Sequence, residues 1–147
     1  MTVTITSKRK TEKLEAVNIR LSKKMKFALD LAARKKDQSQ SAFVVECLLE
    51  KLQGESSGLM TIPTKDSVPR YIPDLVWHES EAMRVTNLGI YAPELLSSSE
   101  RLKWTVIRED KNCWLDKDSP DFKKIRKNWV RIQVKALKLL DEEQGST

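Results

Sequence analysis

The sequence predicts a mainly α protein: a short strand and two helices suited to pairing with a second copy, then a small helical C-terminal domain. Three observations carry this expectation. Ala16 to Ser22 alternates Val17, Ile19 and Leu21 with Ala16, Asn18, Arg20 and Ser22, the pattern of a half-buried strand. Two helical apolar periods follow it, separated by a turn of a few residues. The excess positive charge lies in the first third: residues 1–53 hold 12 Lys+Arg and 6 Asp+Glu, residues 54–147 hold 15 of each. A clustered basic excess marks a polyanion-binding module, although an idle solvated surface can share the composition.

Composition narrows the classes. A chain of 147 residues, 39% hydrophobic and 33% charged, suits one or two small-cored helical domains better than a large enzyme domain. No run of about 18 apolar residues exists, so no membrane span is expected. The stretch Met1 to Lys10 lacks a signal-peptide core, and a cytoplasmic location is expected. Cys47 and Cys113 lack CxxC spacing and are read as reduced thiols, Cys47 as a small core residue of a helix.

The elements follow in order. Residues 1–14 are read as a flexible basic arm carrying Lys8, Arg9, Lys10 and Lys13. The strand spans about Ala16 to Leu21. Ser22 is a suitable cap for a helix with Met25, Ala28, Leu29, Ala32 and Ala33 on one face, ending in Arg34, Lys35 and Lys36. Asp37 stands where a residue tolerating left-handed geometry would close that helix. Ser39 caps a second helix from about Gln40 to Gln53, with Phe43, Val44, Cys47, Leu48 and Leu52 on one face, and Gly54 to Gly58 ends it. One strand and two helices have too little core to stand alone, and the strand has two unpaired edges. A homodimer with antiparallel strands across a two-fold axis resolves both problems. It also places both copies of Ala16, Asn18 and Arg20 on one exposed ribbon that fits a DNA major groove.

At these residues the chain resembles a known family. Val17-Asn-Ile-Arg-Leu-Ser22, the helix ending Leu-Ala-Ala-Arg-Lys-Lys-Asp37, and Ser39-Gln-Ser-Ala-Phe-Val-Val-Glu-Cys-Leu48 look like the ribbon-helix-helix DNA-binding proteins, the superfamily of the Arc and MetJ repressors. The resemblance covers residues 16–52, about a quarter of the chain. It implies that Ala16, Asn18 and Arg20 face bases and that the amides of Ser39, Gln40 and Ser41 hold a DNA phosphate, as helix N-termini do. Asp37 and Gln38 depart from the family, which usually has glycine and an apolar residue there. Ala16 offers a base only a methyl contact, for instance to thymine.

Residues 54–68 are read as a linker and 69–147 as a helical C-terminal domain whose four tryptophans can build a core. Helices are expected from about Asp74 to Thr86, burying Leu75, Trp77 and Met83, and from about Ser99 to Glu109, burying Leu102, Trp104, Val106 and Ile107. The strongest signal is Ser119-Pro120-Asp121, read as a cap, a first-position proline and a first-turn acid. It opens a helix to about Glu143 with Phe122, Ile125, Trp129, Ile132, Ala136, Leu137 and Leu140 in a stripe. Its other face carries Lys123, Lys124, Lys127, Arg131, Lys135 and Lys138, either a solvated face or a surface for membranes, acidic proteins or nucleic acid.

Catalytic and metal signals are thin. Asp116, Asp118 and Asp121 fall in a loop whose carboxylates helix capping explains better than calcium ligation, since turn glycine and distal glutamate are missing. His78, the single histidine, has Glu79 beside it and no partner at nucleophile spacing. No glycine loop has phosphate-cradling spacing. The tryptophans are read as core rather than as a stacking platform. The expectation is therefore no enzyme, no cofactor and no metal. It is a homodimeric, sequence-specific double-stranded DNA-binding transcriptional regulator that also has the option of tetramerising on DNA. The alternative is an antitoxin, or a relaxosome or partition accessory protein of a mobile genetic element, whose C-terminal domain binds a protein partner.

Overall fold

A computed structural model describes residues 13–53, 60–63, 65–66 and 68–146. The chain divides into two compact units, residues 1–48 and 49–147. The described residues are mainly helical, with seven α-helices and one two-stranded antiparallel hairpin.

In the first unit, α1 (Lys23–Lys35) begins where Ser22 Oγ accepts from the Met25 amide at 3.1 Å. It closes through Asp37, whose φ of 52° is the left-handed conformation that lets the Gln38 amide reach the Ala33 carbonyl. The helix α2 (Gln40–Gln53) starts at once, with Ser39 Oγ accepting from the Ala42 amide at 3.1 Å. Both helices therefore begin at the expected caps. Their burial differs from expectation. In α1 only Ala33 is buried and Met25 is exposed, while nothing in α2 is buried and Cys47 lies exposed. Cys47 is thus corrected from a core residue to a surface one of the single chain.

The second unit begins within the last turns of α2, and its first described strand lies inside the stretch expected to be linker. There β1 (Thr61–Ile62) pairs antiparallel with β2 (Arg70–Tyr71), setting Thr61 opposite Tyr71 and Ile62 opposite Arg70. The single helix expected over Asp74 to Thr86 is two, α3 (Ile72–Val76) and α4 (Glu81–Tyr91). Local polar groups stabilise the break. His78 Nδ1 accepts from the Ser80 amide at 2.9 Å, and the Arg84 guanidinium donates to the carbonyls of His78 and Glu79. Trp77, on this turn, is exposed rather than buried, with Arg84 5.4 Å from its ring centroid.

Next comes α5 (Ser98–Glu109), fixed by a reciprocal capping box between Ser97 and Glu100. The long helix expected from Ser119 starts later and is broken. Asp121, not Ser119, caps α6 (Phe122–Lys127), because Ser119 to Asp121 is tied back to the preceding loop: Leu115 N–H donates to Ser119 O and Asp121 N–H to Cys113 O. Asn128 then interrupts the helix. Its amide and its side-chain Nδ2 both donate to the Lys124 carbonyl, and α7 (Trp129–Gly145) starts after it.

The core of this unit is Ala82, Val85, Leu96, Val106, Ile107, Cys113, Ile125, Ile132 and Ala136, flanked by half-buried Leu88, Leu102, Trp104, Trp114, Trp129 and Leu139. Three of the four tryptophans thus border the core, with Trp104 and Trp114 edge to face at 6.1 Å. Burial pushes the Cys113 thiol above its ordinary range, which keeps it protonated and inert. Leu137 and Leu140, expected in the buried stripe, are exposed, and Leu139 takes the inward position.

Candidate nucleic-acid interface

Ala16 to Leu21 forms no ladder within the single chain, and every residue from Lys13 to Leu21 is exposed. A strand edge needs a second backbone, and no described segment of this chain supplies one. The apolar side of the alternation is as bare as the polar side: Val17 is 83% exposed and Ile19 64%. The bareness continues through Met25, Phe27 and Leu31 of α1 and Val45, Leu48, Leu49 and Leu52 of α2. Full burial of a fully exposed side chain of this kind is worth about 1.5–3 kcal/mol, and each of these forgoes a share set by its exposure.

Two of the candidate base-facing residues, Asn18 and Arg20, carry hydrogen-bonding groups in open solvent; Ala16 between Glu15 and Val17 is exposed as well. Lys13 is exposed, whereas Lys8, Arg9 and Lys10 lie outside the described residues. Ser39, Gln40 and Ser41 stand at the exposed start of α2. Ser39 Oγ satisfies the Ala42 amide and Gln40 Nε2 donates to Asp30 Oδ1 at 3.2 Å, so the amides preceding Ala42 are the ones a helix start leaves for an anion.

The turn between the helices is held by a carboxylate. Glu46 accepts from Lys36 Nζ at 2.5 Å and from Gln38 Nε2 at 2.8 Å. Gln38 thereby ties the turn through a polar contact, and its Oε1 is buried without a hydrogen-bond partner among the described residues. Three further exposed cations, Lys23, Lys24 and Lys26, crowd the first turn of α1, beginning three residues after Arg20. Their adjacency in sequence to residues 16–21 is the signal that marks them.

The remaining candidates have structural partners. Asp121 caps α6. Asp116 accepts from the Asp118 amide at 2.9 Å, and that bond, with a second from Ser119, holds its carboxyl below the usual carboxylate range. Among the described residues no cluster of three or more His, Cys, Asp or Glu could hold a metal ion, and no helix is long and apolar enough to cross a membrane. Comparison of the chain with known protein families, with curated proteins and with solved structures finds no match.

Proposed function

We propose that this chain is a homodimeric, sequence-specific double-stranded DNA-binding protein, a transcriptional regulator whose paired N-terminal segments enter the major groove. The observation that carries the reading is the juxtaposition at residues 16–31. An unpaired segment of alternating sequence leaves Asn18 and Arg20 exposed, interleaved with equally exposed Val17, Ile19 and Leu21, immediately before a helix with its own bare apolar residues. One pairing event with a second copy satisfies the strand backbone and covers the apolar side chains. The same event sets two Asn18/Arg20 pairs on a ribbon of major-groove width.

Asn18 has the geometry for adenine and Arg20 for guanine. The start of α2 and the cations Lys8, Arg9, Lys10 and Lys13 fix the phosphate backbone. Selection of bound duplexes from a random pool, followed by footprinting, tests the reading: a defined operator of two symmetric half-sites is expected. On that operator Arg20→Ala costs about 1–3 kcal/mol and relaxes one base position, while Lys10→Ala weakens all sequences alike and flattens the salt dependence. An operator bound equally well without the Arg20 side chain would remove base reading from this segment.

A second reading, an accessory protein or antitoxin whose C-terminal unit holds a protein partner, has its own support in the exposed apolar stripe of α7.

A further inference from the structure

The second unit keeps one continuous apolar face uncovered. On α7, Val130, Val134 and Leu137 are spaced four and three, so they share one side of the helix, and all are exposed, Val130 at 73% and Leu137 at 61%. With Leu140 and with Leu102 of α5 they line a groove of about 640 Å³, bordered also by Ser98, Ser99 and Lys103, the last paired to Glu81. The buried face of α7 packs into the core through Ile132, with Ala136 between the core and the groove floor. The groove is therefore surplus to folding.

Its charge setting says what fits it. Shifted one residue along α7, Arg131, Lys135 and Lys138 repeat the same four-three spacing; Arg131 and Lys138 flank the apolar row outside the groove lining, and Lys135, with Lys138, borders a second cavity beside Glu109 and Asp110. From Phe122 to Leu140 the chain carries seven Lys+Arg and no Asp or Glu. All seven are exposed. We infer that this α5–α7 groove is the docking site for an acidic amphipathic helix of a protein partner, its apolar residues entering along Val130, Val134 and Leu137 and its carboxylates reaching Arg131 and Lys138 on the outer flank of that row.

Other occupants fit less well. A second copy of α7 brings the same cations to the groove, and the N-terminal unit is itself basic, so both meet like charge. Duplex DNA offers phosphates and nothing apolar to fill the concavity. An anionic bilayer meets the cations but seats on a protruding face rather than in a recess walled by two helices. The inference is independent of DNA reading by the N-terminal segment; it gives a chemistry to the partner of the second reading above.

The test is selection of helix-forming peptides from a random library on the full chain. Enriched peptides are expected to place Leu, Ile, Met or Phe at i, i+3 or i+4, and i+7, flanked by Asp and Glu. Leu137→Glu, at a side chain the fold does not bury, is expected to weaken the enriched peptide about tenfold or more. The double variant Arg131→Glu/Lys138→Glu is expected to weaken it several-fold, with the loss shrinking at high salt. Operator binding by both variants, measured alongside, is expected to stay at the wild-type level, so a failed groove and a failed DNA reading give different results. Enrichment of basic or non-periodic peptides would overturn the inference, as would equal binding to Leu137→Glu with its thermal unfolding unchanged. So would a chain that ignores the peptides and binds phosphatidylserine vesicles, or that self-associates through Leu137.

Discussion

Asp37 closes α1 in a conformation that costs a non-glycine residue about 1–2 kcal/mol. Its neighbours set the geometry, since the amides of Asp37 and Gln38 are both spent on carbonyls of α1. Asp37→Gly is therefore expected to raise the stability of the full chain by up to about 1 kcal/mol, net of the greater freedom glycine has when unfolded, as read by urea denaturation. A second residue-scale effect concerns pH. Glu81 accepts from Lys103 Nζ at 2.6 Å, and that bond, joined by charge and by a long hydrogen bond from Trp129 Nε1, holds its carboxyl below the ordinary 4.5. A carboxylate depressed in the folded state contributes stability above the unfolded value and loses it as pH falls through the folded one. Thermal unfolding followed from pH 6 downward should thus show wild-type Tm falling below about pH 4.5 more steeply than Glu81→Gln. Because the side chain is 40% exposed, solvent keeps the effect small. Parallel slopes would mean that this pair contributes nothing to acid lability.

At the scale of elements, caps account for most boundaries and packing for the rest. Ser22, Ser39, Ser97 and Asp121 each accept an amide of the first helical turn; Ser22 and Ser39 are read as caps from sequence, whereas Asp121 is read as a first-turn acid behind a Ser119 cap. The close approach of α4 to α5 was invisible there. Gly89, inside α4, has the Trp104 ring of α5 lying where a Cβ would be, so the residue that normally weakens a helix is the one that lets the two helices meet. Gly89→Ala, which gains about 1 kcal/mol in an open helix, is expected here to destabilise by about 1–3 kcal/mol through overpacking. Denaturant midpoint and Trp fluorescence read both the sign and the displaced ring. The broken helices at Trp77 to Ser80 and at Asn128 belong to this scale too. Apolar periodicity runs straight through them, whereas the decision rests on side chains of His78, Arg84 and Asn128 capturing backbone groups.

For the whole molecule, the contrast between the two units is the main result. The second unit buries Ile107 and Ile125 completely and borders its core with three tryptophans. Among its described residues the first buries one alanine, Ala33, at 2% exposure. A unit so bare has too little buried area to offset its chain entropy, so its stability is expected to depend on association. Sedimentation equilibrium on the full chain is expected to give a concentration-dependent dimer. Ile19→Lys, which puts a charge on the apolar side of the proposed ribbon, is expected to shift it to monomer and abolish operator binding, leaving the unfolding of the tryptophan-containing unit unchanged. An Ile19→Lys chain that remains dimeric would remove the pairing of this segment.

By itself the sequence determined what depends on near neighbours. The mainly helical class, the starts of α1 and α2 at Ser22 and Ser39, the left-handed Asp37 and the helix near Ser98 all follow from hydrogen bonds or periods within four residues. The alternation at Ala16 to Leu21 predicts a strand, but the single chain forms none there, because a strand is decided by a partner backbone and not by its own side chains. Only the tertiary structure decided which apolar residues are inside. Leu137 and Leu140 share a stripe with Ile132 in sequence but face solvent, because α7 is placed by Ile132, Ala136 and Leu139 against the core. It also decided that Thr61–Ile62 pairs with Arg70–Tyr71 in a stretch whose composition reads as linker. Periodicity reports that a helix has an apolar face; which elements stand opposite that face is fixed by contacts between residues far apart in the chain.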